Sequence, residues 1–380
     1  MSWLAISCGI LTVTCTFLFI YPYVLYPATL TLVKKRPIKV GVGHTDGDGF
    51  ALFFCAYNEA LVIEEKLANI RDLRARYPRL KVFAYDDASD DGTLEALEAV
   101  HDVVQVTRGL GRTGKAHGMK TMVAAATESR YLVFTDANVI VDPDAIDEFY
   151  RYYNDPEVGG ICGSLHYLTS VEATATEATG GMYWRIEEWI KGLESDTGNV
   201  MGADGSLFSV RKDIYPEFPD TVQDDFTVSM AAVFAGQRLV KAPAAIAYEK
   251  LVAARADEGE RKIRVAARAY HTHKVMLPGR KRLRPLDKYK YAAHKTLRWW
   301  GAIPLLAGTV AAVVFVASLG LPGVIALAAL LLMAVGVAFG VPKIGAFVAD
   351  LVLAVVAALR GVLQAIRGRT VAIWTPPSSR

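Results

Sequence analysis

Val82-Phe83-Ala84-Tyr85-Asp86-Asp87-Ala88-Ser89-Asp90-Asp91-Gly92-Thr93 is the stretch whose reading decides the fold. Four apolar residues read as a short buried strand, and an acidic turn follows at its carboxyl end. The arrangement recurs at Tyr131-Leu132-Val133-Phe134-Thr135, which runs into Asp136-Ala137-Asn138, and a third acidic pair stands at Asp224-Asp225. Carboxylates at the carboxyl ends of parallel strands gather along one edge of an open α/β sheet, where such folds bind ligands. That edge suits a divalent cation, a nucleotide and a general base together.

Outward from this stretch, residues 50 to 250 alternate strand and helix, as expected for a mostly parallel sheet. The pattern predicts strands over 51–56, 82–85 and 103–107, and another ending at Thr135. Leu61, Leu67, Ile70 and Leu73 recur at helical spacing within 60–76, and further helices are expected over 93–100, 115–127 and 226–233. Between them lies Gly109-Leu110-Gly111-Arg112-Thr113-Gly114-Lys115-Ala116, which matches G-x-G-x-x-G and nearly matches G-x-x-x-x-G-K-[ST]. Ala116 lacks the hydroxyl that the second pattern needs for magnesium. A dinucleotide fold wants the loop after its first strand, whereas two strands precede it here. The loop is expected to present Lys115 to a diphosphate, and a dehydrogenase is the weaker alternative.

The 380 residues are 52% hydrophobic with a net charge of +3, so bulk charge does not point to nucleic acid. Apolar residues concentrate at the ends. Trp3 to Val33 is long enough to span a bilayer, with Tyr21, Tyr23 and Tyr26 as an interfacial belt and Lys34-Lys35-Arg36 as a cytosolic flank. Residues 300–319 and 323–340 read as two further spans, and 344–366, with Asp350, Arg360 and Gln364, as a third or an inward-packing helix. The basic residues between Arg280 and Arg298 suggest contact with anionic lipid headgroups. Cys8, Cys15, Cys55 and Cys162 show no paired spacing, which fits a reducing compartment. The expected organisation is a transmembrane anchor over 1–36, a cytosolic catalytic domain over 48–275, a basic interfacial segment over 276–299, membrane helices over 300–366 and a tail over 367–380.

These segments in their order resemble the family 2 glycosyltransferases of GT-A fold, nearest to membrane-bound members related to cellulose, hyaluronan and poly-N-acetylglucosamine synthases. The resemblance implies a Rossmann-like α/β nucleotide-diphospho-sugar transferase domain flanked by transmembrane helices. Ala56-Tyr57-Asn58-Glu59 stands at the first-strand motif and Asp87 and Asp91 at the nucleoside motif, which with Lys115 implies donor binding by Ala56, Tyr57, Glu59, Asp87, Asp91, Lys115 and Asp136. Asp136-Ala137-Asn138 takes the place of the metal-binding D-x-D, so Asp136 and Asn138 are the expected ligands of Mg2+ or Mn2+. Hard cations prefer oxygen donors, and Asn at the third position lowers the site's charge by one.

Gln223-Asp224-Asp225-Phe226 sits where the family has its Glu-Asp pair, which makes Asp225 the expected catalytic base. Inverting transfer needs one such group to deprotonate the acceptor hydroxyl. Asp224, Asp204 in Gly202-Ala203-Asp204-Gly205-Ser206, and Trp184 are the expected acceptor contacts, with Trp189 as the alternative to Trp184. The Q-x-x-R-W motif of processive synthases is absent; in its region Arg261, Arg264 and Arg268 have near-helical spacing, and Arg261 and Arg264 are expected to bind diphosphate. Without a third metal ligand in sight, His271 and His273 read as membrane-proximal polar surface, and His117 and His166 carry no assignment.

The implied activity is transfer from a nucleotide-diphosphate sugar, UDP-linked by preference, to a lipid-linked saccharide or polysaccharide at the cytosolic face of an inner membrane. The alternatives are transfer to polyprenyl phosphate and a catalytically inactive nucleotide-sugar-binding scaffold.

Overall fold

Alternate residues of the first strand face opposite layers, which is why it reads as an unbroken apolar run. Phe50, Leu52 and Phe54 of β1 (Phe50–Ala56) pack with Ile63, Leu67, Ile70 and Leu73 of α3 (Ala60–Arg76). Ala51 and Phe53 turn the other way, onto Met119, Met122 and Val123 of α5 (Lys115–Ala125). The computed structural model describes residues 2–168, 175–250, 255–325, 328–329, 332 and 342–369.

The remaining strands are β2 (Lys81–Asp86), β3 (Gln105–Arg108), β4 (Tyr131–Thr135), β5 (Val139–Val141), β6 (Val158–Leu168), β7 (Leu207–Arg211) and β8 (Arg238–Lys250). They form one mixed sheet in the order β3-β2-β1-β4-β7-β6-β8-β5. The first four in that order are parallel, so their carboxyl ends share one edge. β7 then runs antiparallel to both β4 and β6. The fold is thus a mixed α/β sheet with a parallel half, as the sequence led us to expect. The other helices that matter are α4 (Thr93–Glu98), α6 (Ala145–Tyr152), α7 (Ala175–Asp196), α8 (Asp224–Phe234) and α9 (Arg255–Val275). The helix Pro342–Ile366 packs along α9, with Gly361 so close that a methyl there would meet the Ile263 carbonyl at 2.5 Å.

The ends of the chain differ from expectation. In place of one span from Trp3 to Val33 stand α1 (Trp3–Ile20) and a separate α2 (Leu25–Thr31). Tyr26 is fully buried and donates its hydroxyl to Glu194 at 2.5 Å, so it is a protein contact and not part of an interfacial belt. Lys35 and Arg36 pair with Asp196 and Glu157, so the charges taken for a cytosolic flank are shared with the catalytic unit. The basic segment is likewise only partly a surface. Lys290 and His294 are buried, whereas Lys281, Arg282, Arg284 and Lys288 are exposed.

Among the described residues one helix, Trp3–Ile20, is long and apolar enough to cross a membrane. Pro285–Trp299 with Ala302–Ala317 adds a second only if that pair, bent by 63°, counts as one span. α1 lies against Ala302–Ala317, with Gly9 facing Phe315 and Gly308 facing Cys15. A multi-pass arrangement is therefore not supported. Most of the expected span 323–340, and Thr370 to Arg380 of the tail, lie outside the described residues.

Candidate active site

The parallel edge collects the loops after β1, β2, β3 and β4, and hydrogen bonds lace the first three together. Asn58, in the left-handed region at φ 52°, donates its N–H to Ser89 Oγ at 3.1 Å and accepts from the Asp90 N–H at 3.0 Å. Asp91 caps two helices at once: Oδ1 accepts from the Thr93 N–H and hydroxyl, and Oδ2 accepts from the Ala60 N–H at 3.0 Å. Burial raises the Asp91 pKa, but these bonds outweigh it and hold the carboxyl below its ordinary value.

Asp87 grips the glycine-rich loop. Its carboxylate accepts from the Thr113 N–H at 2.7 Å, the Gly114 N–H at 3.1 Å and Arg112 Nε at 3.1 Å. The Arg112 guanidinium stacks 3.2 Å from the Tyr57 ring centroid. Gly114 at φ 89° turns the chain into α5, a conformation a side chain would strain. Gly118 then lets α5 approach the sheet, since a Cβ there would lie 2.8 Å from Cys55 Sγ. Beside this loop lies a cavity of about 300 Å³ lined by Asp86, Ala88, Ser89, Arg108, Gly109 and Leu110. Asp86 Oδ1 is buried there without a hydrogen bond.

Those two glycines aim Lys115 at the carboxylates. Its Nζ lies 2.5 Å from Asp136 Oδ1 and 3.8 Å from Asp224 Oδ2. Burial opposes the charge, but Asp136, Asp224 and Asp225 outweigh it and raise the Lys115 pKa above its usual range. The antiparallel register pairs Thr135 with Leu207, which lays the turn before β7 against the end of β4. Gly205 sits in that turn. A Cβ on it would meet Lys115 Nζ at 3.1 Å, Asp225 Oδ2 at 3.4 Å and Asp136 Oδ2 at 3.6 Å. Asp136, Asp225 and Lys115 therefore border one space beside Gly205, which a methyl there would partly fill.

Three carboxylates around one ammonium leave about two negative charges in excess. Asp224 Oδ2 is buried without a hydrogen bond, and Asp225 is pushed up to about 7 by burial first and by Asp224 second. Oxygen donors of this kind suit a hard divalent cation, although among the described residues no group of three or more His, Cys, Asp or Glu side chains stands in metal-holding geometry. Asn138 donates its amide N–H to Glu249 Oε1 at 2.8 Å, which directs its amide oxygen away from Glu249. The β5–β8 register, which pairs Val139 with Glu249, sets that contact. Sequence reasoning missed Glu249, because no local signal ties it to Asn138.

The loop before α8 is clamped from both sides. Lys120 of α5 donates to the Phe218 carbonyl at 3.0 Å and pairs with Asp220, which also meets His117 at 3.3 Å. From α9, Thr272 accepts the Gln223 N–H at 2.8 Å, Arg268 donates to the Val222 carbonyl at 2.8 Å and His271 meets Thr221 at 2.9 Å. His117, which carried no assignment, and His271, expected at a membrane-proximal surface, thus help hold the loop that presents Asp224 and Asp225.

On the acceptor side Trp184 is half-buried and donates its indole N–H to the Leu165 carbonyl at 2.9 Å, whereas Trp189 is exposed. Asp204 Oδ2 accepts from Lys191 at 2.7 Å, and Oδ1 accepts from Ser206. Arg261 is exposed on α9 and Arg264 half-buried. Burial, then Arg261 and Arg268, lowers the Arg264 pKa, so those two guanidiniums stand close enough to disfavour its charge.

The family model described as glycosyltransferase-like family 2 matches residues 47–276. No curated protein matches the chain. Among solved structures, a mannosyltransferase from Pyrobaculum calidifontis in complex with GDP-Man and Mn2+ aligns at TM-score 0.74 and 22% identity, covering 95% of this chain and 99% of that one. At that identity the likeness speaks for the fold. TarS of S. aureus aligns at TM-score 0.44 and 12% identity over 66% of this chain and 43% of that chain. GalNAc-T7 with UDP, GalNAc and Mn2+ aligns at 0.40 and 11% over 55% and 44%.

Proposed function

The chain belongs to the glycosyltransferase-like family 2, and from that premise we propose that it is an inverting, divalent-cation-dependent glycosyltransferase using a nucleotide-diphosphate sugar, UDP-linked by preference. The observation that carries the reading is the space at Gly205, bounded by Lys115, Asp136 and Asp225. Asp136 and the Asn138 amide oxygen would hold Mg2+ or Mn2+. When bound, the cation neutralises charge on the departing diphosphate. Lys115 adds a second positive charge at the same oxygens. Asp225 accepts the proton of the acceptor hydroxyl as its oxygen bonds to the anomeric carbon. The bond from that carbon to the diphosphate breaks on the opposite face, and the nucleoside diphosphate leaves with the electron pair.

In this reading the nucleoside lies along Ala56, Tyr57 and Glu59 and the loop closed by Asp87, beside the 300 Å³ cavity. Asp87 and Asp91 shape its walls through the glycine-rich loop and α4. Arg261 and Arg264 supply the diphosphate with further positive charge, which their mutual repulsion favours. The catalytic unit spans about 48–275, with the remainder docking it at a lipid surface. The exposed basic residues Lys281, Arg282, Arg284 and Lys288 and the apolar outer face of α1 support that placement and a lipid-linked saccharide acceptor. Transfer to polyprenyl phosphate would leave a monosaccharide on lipid phosphate, which product mass distinguishes.

The deciding experiment incubates the detergent-purified chain with a panel of nucleotide sugars and Mg2+ or Mn2+ and measures nucleotide release. Release specific to one donor and dependent on the cation is expected; release from none would leave a nucleotide-sugar-binding scaffold. The pH profile is a second check. With its carboxyl at about 7, Asp225 is protonated below that pH and cannot accept a proton. The ratio kcat/KM is therefore expected to fall as pH drops below about 7 and to level off above it. A profile flat from pH 5 to 8 would show Asp225 ionised throughout and overturn the raised carboxyl value.

Glu249 gives a third check. Glu249→Gln offers Asn138 an amide in place of an obligate acceptor, freeing the Asn138 amide to flip. Mn2+ binding in the presence of nucleoside diphosphate, read by electron paramagnetic resonance, should weaken about tenfold. Unchanged affinity would separate Glu249 from the metal.

A further inference from the structure

The turn that carries Gly205 is tied to three elements. The Ala203 N–H donates to Ser229 Oγ at 2.9 Å, on α8 one turn beyond Asp225. Thr135, the residue before Asp136, donates its hydroxyl to the Ser206 carbonyl at 2.8 Å. The third tie runs through Asp204, whose Oδ1 folds over Gly205 to the Ser206 N–H and hydroxyl while Oδ2 accepts from Lys191.

Lys191 is 3% exposed, and its ammonium donates two hydrogen bonds. Its ammonium reaches Asp204 at 2.7 Å and Glu188 at 3.1 Å, and lies 4.9 Å above the Trp184 ring centroid. Glu188 in turn pairs with Lys241 of β8 at 2.5 Å. Trp184, Glu188 and Lys191 share one face of α7, at spacings of four and three. A chain of alternating charge, buried at its two lysines and half-buried at Glu188 and Asp204, thus runs from the sheet through α7 into the turn.

We propose that Lys191 is a positioning residue for sugar transfer, which through Asp204 fixes the Gly205 turn against Asp136 and Asp225. The proposal rests on the reading of those two acids as metal ligand and base. It also gives Asp204 a task other than touching the acceptor: both carboxylate oxygens serve the turn and its anchor. A half-buried carboxylate left without its cation moves or neutralises. The turn would then close on the space that the reacting groups share. Displacements near 1 Å at such places cost about a hundredfold in rate.

The test compares Lys191→Met, Lys191→Arg and the pair Lys191→Met with Asp204→Asn, each by nucleotide release, by titration with nucleoside diphosphate and by thermal melting. Lys191→Met should lower kcat about a hundredfold and leave donor KM and diphosphate affinity within about threefold. Lys191→Arg should retain most activity, because it restores the charge. The double variant should recover at least about tenfold over Lys191→Met, since Asn keeps the acceptor for Ser206 and removes the unpaired charge. If Lys191→Met does not fold, the double variant and Lys191→Arg carry the comparison. Wild-type kcat in folded Lys191→Met, or a folded double variant with no more than a hundredth of wild-type kcat, overturns the proposal. Asp225→Asn run in parallel separates the two claims: if it keeps full turnover, the reading of the site itself has failed.

Discussion

Asp225→Asn should lose turnover by at least about a hundredfold while nucleoside diphosphate binds within about threefold of wild type. The substitution keeps shape and removes the acceptor of the proton, so the acceptor hydroxyl must attack undeprotonated. The same variant should be more stable at neutral pH. In the native chain burial and Asp224 raise the Asp225 carboxyl to about 7, above its ordinary 3.8. A raised carboxyl lowers stability as pH climbs from the unfolded to the folded value, and the cost is fully present above about 7. Asparagine carries no such cost, so stabilisation on the order of a few kcal/mol is expected at pH 8, fading toward pH 4. Thermal melts at the two pH values read it. Loss of activity with gain of stability is the signature of a charge kept for chemistry. Full turnover in this variant would remove Asp225 from the mechanism.

Asp136→Asn should have the second large effect, in which cation dependence disappears together with catalysis. Asp136 is the closest partner of Lys115 and one of the acids facing the Gly205 space. Replacing it removes one of about two excess negative charges and a hard oxygen anion. Electrostatic stabilisation of a leaving group by metal amounts to several kcal/mol, so kcat is expected to fall about a thousandfold. Mn2+ bound with nucleoside diphosphate should give a weakened resonance signal, a readout independent of activity. The fold should hold, because Asp136 is half-exposed at a strand end and Lys115 keeps Asp224 and Asp225. Unaltered Mn2+ binding would move the metal elsewhere.

Much of this was legible in the chain. Strand and helix boundaries through the first half of the catalytic unit follow from short apolar runs and helical spacing. The 60–76 helix and the strand ending at Thr135 coincide with the observed elements. The first two acidic clusters lie at strand ends, because a parallel sheet puts such ends on one edge, whereas Asp224-Asp225 opens α8. The sequence suggested Asp87 and Asp91 as donor contacts, but not the hydrogen bonds by which they anchor the loops. A carboxylate's partners depend on which backbone N–H groups the folded loops turn toward it.

The ends of the chain were harder. A run of apolar residues has the same composition whether it meets lipid or another helix, so Tyr26 read as an interfacial residue although it is buried against α7. Lys290 read as surface charge, although its ammonium is buried on the carbonyls of Glu194 and Asn199.

What the sequence by itself determined is the order of elements, the glycine-rich loop and the residue types at each strand end, because these rest on interactions within a few residues. Only the tertiary structure decided that Lys115, Asp136 and Asp225 share the space at Gly205, that Glu249 takes the amide of Asn138 and that Lys191 anchors Asp204. Those contacts join residues up to 111 positions apart. Strand register and helix packing bring them together, and neither is written in any one segment.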